Sequence, residues 1–331
     1  MKITQPTFYD DFRCLAGSCP DSCCQEWDVQ VDEAAARRYL TLSGQLGDTL
    51  RRKLKQDEDG EYYLEITDRR CPMWRTDGLC EIQCHLGEEG LCHVCRQFPR
   101  LRHDYGDFVE LGLELSCPEA ARLILTTPAL PPVFHEVAGG EEPEYDREAM
   151  GILLRSRTQA LEILSAHPLP DALILLLLYA YRAQEELDGG EPAQPDTAAD
   201  LALARQVAQA GSGSALADFY LGLDILTPRW HERLTHPQPR QDWPEELRNM
   251  ARYGVERYWL QAVADYDLTS RIKMIIAACL LVRDLGGDLI DTAQLYSKEI
   301  ENSAENVDAV LDAAYTHPAL TDANLLSLLI R

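Results

Sequence analysis

The amino-acid sequence predicts a mostly α fold, in which a metal-stapled, cysteine-rich N-terminal module with a short hairpin or strands packs on an all-helical C-terminal body. Three observations lead to this prediction. Ten of the eleven cysteines lie before residue 118 of the 331-residue chain. Apolar residues in the later part recur at intervals of three and four, as on the buried face of a helix. One short stretch has the composition of a strand.

The N-terminal region, residues 1–128, is expected to consist mainly of loops and short helices. Its strand-like run is YYLEIT at residues 62–67, which follows the acidic turn QDEDGE. A helix is predicted to begin after Cys117. Pro118 suits the first helical position, and Glu119 lies in the first turn, where an acidic side chain is favoured.

The C-terminal region, residues 129–331, is predicted to be helical. Two breaks rich in glycine, proline and acidic residues, AGGEEPEYD near 138–146 and LDGGEPAQPDT near 187–197, bracket a helical hairpin. The hairpin is formed by REAMGILLRSRTQALEIL and PDALILLLLYAYRAQEEL. Six further segments have helical character: AADLALARQVAQA, PEELRNMARYGVERYWLQAVADY, TSRIKMIIAACLLVRDL, IDTAQLYSKEIENS, AENVDAVLDAAY and DANLLSLLIR.

Composition and charge narrow the class of protein. The hydrophobic fraction of 46% and the charged fraction of 26% are typical of a globular protein. The net charge of -24 argues against nucleic acid as a partner, because phosphate binding requires clustered lysine and arginine. The longest apolar run, ALILLLLYAY, has about half the length that a bilayer span requires, so no membrane association is expected. The N-terminus lacks the pattern of an export signal, and we expect a cytoplasmic protein.

The clustered cysteines indicate a metal site rather than disulfide bonds, because the cytoplasm keeps thiols reduced. Cys92 and Cys95 have the two-residue spacing with which two thiolates face one metal centre, in zinc and in iron-sulfur sites. The Cys-Pro steps at 71–72 and 117–118 resemble the cysteine-proline step of bacterial ferredoxins, which favours an iron-sulfur cluster over zinc. Four cysteines fill one 4Fe-4S cluster or one zinc site, so ten leave a surplus, and both metals stay open.

Other candidate ligands carry weaker signals. Cys279 lies in the apolar helical segment RIKMIIAACLLVRDL and is expected to be a small core residue. His85 and His93 are expected at the surface, since the cysteines already supply more ligands than one site needs. Cys84 has the weakest signal among the N-terminal cysteines.

Three stretches of the N-terminal region resemble the flagellin lysine-N-methylase (FliB-like) family: FYDDFRCLAGSCPDSCCQEWDV, RRCPMWRTDGLCEIQCHLGEEGLCHVCRQFPR and LELSCPEAARLIL. The shared features include the double cysteine followed by Glu26 and Trp27, and LGEEGLC leading into CRQFPR. YSKEIENSAENVDAVLDA is similar to the family's closing helical segment. A looser similarity to small zinc- or iron-chelating proteins with a CxxCxxCC-type motif supports metal binding alone.

The resemblance implies that methyl groups pass from S-adenosylmethionine to lysines of flagellin, in an enzyme that carries a 4Fe-4S cluster. It implies nine metal ligands and leaves Cys84 out of the pattern: Cys14, Cys19, Cys23, Cys24, Cys71, Cys80, Cys92, Cys95 and Cys117. The one candidate for the glycine-rich turn of a Rossmann-type methyltransferase, AGSGSAL at 210–216, has no strand before it. The CxxxCxxC run of radical S-adenosylmethionine enzymes is not reproduced either, so the donor site stays open.

Lysine methylation requires a site that removes a proton from an amine whose pKa is about 10.4 and that aligns nitrogen, methyl carbon and sulfur. Near Cys117, the stretch RHDYGDFVELGLELSC offers Tyr105, Glu110 and Glu114 as catalytic candidates. Alternatively, this stretch is the turn of a hairpin and the solvent face of a strand. Arg96 and Arg100 are candidates for binding the carboxylate of the methyl donor, or for neutralising a thiolate-bound cluster.

A second hypothesis is a non-enzymatic or redox metal-binding protein, in which the metal stabilises the N-terminal module and the helical body binds a partner. In either case the helical body is the expected contact surface for flagellin or another protein. The carboxylates of YSKEIENSAENVDAVLDAAY would attract a lysine-bearing surface, or else form a solvated face.

Overall fold

The fold is known from a computed structural model that describes residues 1–212 and 214–330. These residues form fifteen α-helices and seven short strands, so the mostly α prediction is confirmed. Gly213, within the predicted glycine-rich stretch AGSGSAL, lies outside the described residues.

The N-terminal half alternates short strands with short helices. Its elements are β1 (Lys2–Gln5), β2 (Val29–Val31), α1 (Glu33–Thr41), α2 (Gly44–Lys53), β3 (Leu54–Gln56), β4 (Tyr62–Leu64), α3 (Glu81–Leu86), α4 (His93–Gln97), β5 (Arg100–Asp104), β6 (Phe108–Leu113), α5 (Pro118–Thr126) and β7 (Val133–Glu136). The predicted strand YYLEIT is confirmed as β4 in its first three residues. The predicted helix start is confirmed as well, with Cys117 as the N-cap of α5 and Pro118 in its first turn.

The strands form two small sheets. The four-stranded sheet has the order β5-β6-β1-β7, in which β1 is parallel to β6 and antiparallel to β7. The β5-β6 pair is an antiparallel hairpin that joins Arg100–Asp104 to Phe108–Leu113. The three-stranded sheet, β2-β4-β3, is antiparallel.

The C-terminal half consists of ten helices among the described residues. They are α6 (Arg147–Ala166), α7 (Leu169–Leu187), α8 (Thr197–Val207), α9 (Leu216–Tyr220), α10 (Pro228–Thr235), α11 (Glu245–Tyr258), α12 (Thr269–Leu285), α13 (Leu289–Tyr296), α14 (Ala304–Thr316) and α15 (Asp322–Ile330). A turn of π-helix, Ser297–Glu301, continues α13. Each of the eight helical segments predicted from the sequence overlaps one of these helices, whereas α9 and α10 were not predicted.

One part of the helical prediction is wrong. The region after residue 128 begins with a strand, because Val133 and Phe134 have the β-branched and aromatic side chains that favour strands and lie beside the free edge of β1. Lys2 pairs with Glu136 in this register. The sheet therefore extends beyond the predicted module, and the boundary at residue 128 stays a prediction.

Two hydrophobic cores hold the chain together. The smaller core, from Val29 to Cys92, includes the inner faces of α1 and α2 and of the three-stranded sheet. The larger core extends from Phe12 through α5 to the C-terminal helices. At its centre lies α12, in which every residue is buried except Arg283 and Asp284. Burial on all sides explains why this helix is apolar around its whole circumference.

No helix formed by the described residues combines the length and the apolar character needed to cross a bilayer.

Candidate metal centre

All eleven cysteines are free thiols, and the predicted metal ligands lie on loops and at helix starts. Cys80, Cys92 and Cys117 are the N-cap residues of α3, α4 and α5. Two of these three, Cys92 and Cys117, are buried, and Cys80 is half-buried. The folding of these short helices therefore fixes the positions of three of the nine predicted ligands.

Cys24 is the centre of one group of thiols. The Cys71 amide donates a hydrogen bond to the Cys24 carbonyl at 2.8 Å, which brings together two segments that are far apart in sequence. Cys23 and Cys71 are neighbours of Cys24, and the interaction of the three thiols lowers the pKa of Cys24 and raises those of Cys23 and Cys71. Burial raises the pKa of Cys80, and the nearby Cys24 contributes in the same direction.

The predicted pair Cys92 and Cys95 lies beside this group. The interaction of the two neighbouring thiols lowers the pKa of Cys92 and raises that of Cys95. The loop before Cys92 is anchored to α1, because the Tyr39 hydroxyl donates to the Gly90 carbonyl at 2.9 Å. Cys23 and Cys24 are close enough to contribute to the raised pKa of Cys95, so the double cysteine and the Cys92–Cys95 pair are neighbours.

A further set of thiols surrounds the start of α5. Burial raises the pKa of Cys117 to about 11, with smaller contributions from the nearby Cys19 and Cys14. The Cys19 thiol donates to the Asp21 carbonyl at 3.3 Å. The fold therefore gathers the predicted ligands from residues 14 to 117 into one region, in which Cys23 has neighbours in both sets.

The donor chemistry of this region fits the group that the resemblance implies, since zinc and iron-sulfur clusters both take thiolate ligands. The distances between the described side chains do not form a coordination site. Within residues 1–212 and 214–330, no three His, Cys, Asp or Glu side chains are close enough together to hold a metal ion. The metal-stapled module and its nine ligands stay predictions.

The residues with weaker signals differ in their surroundings. Cys279 is fully buried in α12, which confirms the prediction of a core residue. His85 and His93 are both exposed, as predicted, and the His93 amide donates to Asp32 at 2.7 Å. Cys84 is exposed on α3.

The two predicted donor-binding arginines have different surroundings. The Arg96 guanidinium lies 3.2 Å from the Glu89 carboxylate, in a pair whose side chains are 36% and 89% exposed. The Arg100 guanidinium lies over the Phe12 ring, 5.3 Å from its centroid. The Glu89 carboxylate thus partly neutralises the charge of Arg96. The contact of Arg100 with Phe12 is a cation-π interaction, which leaves the hydrogen-bond donors of Arg100 available.

The catalytic candidates lie on the β5-β6 hairpin and the loop that follows it. Tyr105 is in the turn, with its ring stacked on Phe108 at 4.7 Å, and burial raises its pKa to about 12. Glu110 is on β6, and Arg157 of α6 binds both of its carboxylate oxygens, at 2.6 and 2.7 Å. The hairpin turn and the strand are therefore confirmed for this stretch, whereas the expected solvent face is wrong for Glu110 and Glu114, whose side chains are 17% and 14% exposed.

Glu114 belongs to a polar cluster that the sequence did not indicate. Its carboxylate lies 3.8 Å from Arg257, which also pairs with Glu301 of the π-helix at 3.3 Å. The hydroxyls of Tyr253 and Tyr258 donate to Glu301 at 3.0 and 2.9 Å. The Tyr253 hydroxyl accepts a hydrogen bond from the Leu115 amide at 3.4 Å, which links the cluster to the segment before Cys117.

The acidic segment near the C-terminus is divided between core and surface. Lys298 and Glu299 are buried, and the Glu301 side chain is 6% exposed. Three later carboxylates are exposed along α14, those of Glu305, Asp308 and Asp312. An acidic face for a partner is therefore available on α14 but not on the π-helix.

A cavity of about 700 Å³ opens in the helical body between α7, α8, α12 and α15. Arg205, Arg240, Arg283 and Trp243 contribute polar and aromatic groups to its lining. Every residue that lines it follows residue 169, so it is separate from the cysteine segments.

Comparison with known proteins identifies relatives named as lysine-N-methylases and as a flagellar biosynthetic protein. The chain is 34% identical over 136 residues to the Lysine-N-methylase of Salmonella choleraesuis (strain SC-B67), an alignment that covers 38% of this chain and 33% of that protein. The same values hold for the Lysine-N-methylase of Salmonella typhimurium. The Flagellar biosynthetic protein FliU of Salmonella muenchen is 31% identical over 154 residues, which cover 45% of this chain and 88% of that protein.

The coverage of these relatives is uneven. The chain matches about a third of the length of the two methylases and most of the length of the FliU protein. No family model and no solved structure matches the chain.

Proposed function

Because the chain belongs to the FliB-like family, we propose that it is a cytoplasmic protein-lysine N-methyltransferase that acts on flagellin, with S-adenosylmethionine as methyl donor and a thiolate-bound 4Fe-4S cluster. The observation that carries the proposal is the 34% identity to two proteins named lysine-N-methylases. A relative with the name of a flagellar biosynthetic protein supports a flagellar substrate.

The proposed reaction is a displacement at the methyl carbon of the donor. The lysine nitrogen forms a bond to this carbon while the bond from carbon to sulfur breaks, and the sulfonium becomes a neutral thioether. The proton of the amine passes to a base, because a protonated amine has no electron pair with which to attack. The chain therefore has to supply a group that accepts a proton and a surface that aligns the three reacting atoms.

Glu114 is the first candidate for the proton acceptor. Glu110 is held at both oxygens by Arg157, whereas the Glu114 carboxylate lies at a longer distance, 3.8 Å, from Arg257. Glu114 also belongs to the segment that leads to Cys117, so it lies between the thiol region and the helical body. Tyr105 is the second catalytic candidate, as a hydrogen-bond donor rather than a proton acceptor, because burial raises its pKa to about 12 and keeps its hydroxyl protonated.

The nine cysteines of the family pattern would hold the cluster, and Arg100 would offset its negative charge or bind the carboxylate of the donor. A thiolate-bound cluster supplies a redox-active centre and cross-links the loops that carry its ligands. The absence of disulfides among the eleven cysteines leaves every thiol available for this role. Zinc is the alternative metal, for the same ligands.

The proposal is tested with the purified protein, S-adenosylmethionine and flagellin. Mass spectrometry of flagellin peptides should detect methylated lysine, and Glu114→Gln should slow its formation while leaving the metal content unchanged. Arg37→Gln, at an exposed position of α1, is the matched control and should methylate at the rate of the unmodified protein. Flagellin without methylated lysine, in the presence of protein that retains its metal, would contradict the enzymatic proposal.

A second candidate function has one observation in its favour. The chain covers 88% of the FliU protein but only 33% of each lysine-N-methylase, and the FliU name describes biosynthesis of the flagellum rather than an enzyme. We therefore keep the alternative of a non-enzymatic or redox metal-binding protein whose metal is structural. The methylation assay separates the two candidates.

A further inference from the structure

One amide group of α13 joins two cysteine-bearing segments. The side-chain nitrogen of Gln294 donates to Asp21 Oδ2 at 2.9 Å and to the Ser116 carbonyl at 2.7 Å. Asp21 lies midway between Cys19 and Cys23, and Ser116 directly precedes Cys117. Gln294 is 2% exposed, so both of its hydrogen bonds are shielded from water.

Lys298, one turn further along, completes the contact with Asp21. Its Nζ lies 2.6 Å from Asp21 Oδ1, so the two carboxylate oxygens are bound by two different side chains. Lys298 is 3% exposed, and its ammonium lies 5.2 Å from the centroid of the Trp27 ring. A buried lysine is rare unless it is paired, and here its partner lies in the cysteine loop.

These contacts join two cysteine-bearing segments that are far apart in sequence. Residues 14–23 are largely exposed and contain little regular structure, whereas Cys117 begins a buried helix. Exposed loops are the least stable parts of a fold unless their polar groups are anchored. The anchor of this loop is the side of α13 and the π-helix that carries Gln294 and Lys298.

We propose that Gln294 and Lys298 are positioning residues that hold the loop containing Cys19 and Cys23 against Cys117, so that their thiols can bind one metal group. This inference rests on the proposed metal group. It concerns the residues that arrange the ligands rather than the ligands themselves, and it assigns a role to the C-terminal half of the chain in a site whose cysteines are all N-terminal.

The test measures how quickly iodoacetamide alkylates each cysteine in metal-stripped, folded protein, peptide by peptide. A shielded thiol reacts when its segment opens locally, so weakening the anchor should speed its reaction. Lys298→Met and Gln294→Met should each make the buried Cys117 react about tenfold faster. Cys71 and Cys92, which are buried in the smaller core, should keep their rates. Lys298→Arg should restore slow labelling because it retains the positive charge.

Lys273→Met is the matched control. Lys273 is also buried and paired, with Asp322 at 2.8 Å, but it lies wholly within the helical body. The control should leave the labelling of Cys117 unchanged even where it lowers the melting temperature. In protein purified with its metal, Lys298→Met should lose at least half of the metal, and Lys273→Met should retain it.

The proposal is overturned if Lys298→Met and Gln294→Met label at the rate of the unmodified protein, or if Lys273→Met accelerates labelling equally. Unmodified protein that contains neither iron nor zinc would contradict the proposed function instead. The labelling comparison uses metal-stripped protein, so it still decides whether Gln294 and Lys298 hold the two segments together.

Discussion

Glu110 and Arg157 form a bidentate ion pair, in which the carboxylate oxygens lie 2.6 and 2.7 Å from the two terminal nitrogens of the guanidinium. The two side chains are 17% and 14% exposed. The pair connects β6 of the N-terminal sheet to α6 of the helical body. It therefore fixes one half of the chain against the other.

Removing one partner of this pair should destabilise the protein substantially. Arg157→Met leaves the Glu110 carboxylate without its partner, and we expect the free energy of unfolding to fall by about 3 kcal/mol. Urea denaturation followed by circular dichroism measures the change. Arg37→Met removes an exposed ion pair of α1, whose side chains are 74% and 71% exposed, and should cost less than about 0.5 kcal/mol. Equal losses in the two variants would contradict this account of the pair.

His103, opposite Glu110 in the hairpin, should make stability depend on pH. Burial lowers its pKa below 6.5, and the charges of Arg257 and Arg157 lower it further, against the opposing effect of Glu110. Below about pH 6.5 the unfolded chain binds a proton that the folded chain does not. The free energy of unfolding therefore decreases as the pH is lowered. His103→Gln should reduce this loss in thermal melts.

The exposed His135 of β7 provides the control for this measurement. His135→Gln should leave the dependence on pH unchanged. If His103→Gln has as steep a dependence as the unmodified protein, another group is responsible.

The metal prediction is tested by anaerobic purification. We expect a brown protein with broad absorption near about 400 nm and similar amounts of iron and sulfide, as thiolate-bound 4Fe-4S centres require. Elemental analysis and absorption spectroscopy provide the measurement. A colourless protein with stoichiometric zinc would show that the same thiols serve the other metal.

A series of cysteine variants should distinguish the cysteines that bind the metal from those that do not. Cys24→Ala, Cys71→Ala, Cys95→Ala and Cys117→Ala should each lose iron and destabilise the N-terminal module, because metal binding contributes to folding. Cys84→Ala and Cys279→Ala should retain iron. Loss of iron in Cys84→Ala would show that the ligand set inferred from the family pattern is wrong.

The exposed carboxylates of α14 should contribute to the binding of flagellin. Neutralising Glu305, Asp308 and Asp312 together should weaken binding and reduce its dependence on salt, since attraction between exposed charges is screened by ions. Surface plasmon resonance at several salt concentrations measures both effects.

The loop at residues 141–144 offers a control with the same change of charge. Glu141, Glu142 and Glu144 are exposed, and their replacement by glutamine should leave binding unchanged. Equal effects of the two triple variants would indicate a general effect of net charge rather than a contact on α14.

Eight of the ten described helices of the C-terminal half were predictable because their apolar residues follow the helical period, as in α6 and α7, whereas the short helices α9 and α10 were missed. The start of α5 was predictable from local chemistry, since Pro118 and Glu119 suit a first turn. The strand β7 was missed because VFHE is too short to have a distinct period, and its pairing with β1 depends on a neighbour more than a hundred residues away.

The surroundings of the candidate residues were less predictable than their identities. Glu110 alternates with apolar residues as an exposed strand position does, but α6 covers that face and supplies Arg157. Glu299 and Glu301 are acidic residues in a charged segment, and charge alone suggested a solvated surface. Their burial depends on Leu226 and Tyr253, whose proximity follows from tertiary packing and from no local pattern.

The contact between Asp21 and Lys298 also has a consequence for synthesis of the chain. The two residues are 277 positions apart, and at the usual rate of about 5–20 residues per second the ribosome needs roughly 14 to 55 s to pass from one to the other. During this interval the nascent loop with Cys19 and Cys23 exists without the residues that hold it. The loop therefore takes up its place beside Ser116 and Cys117 only after α13 and the π-helix have been synthesised.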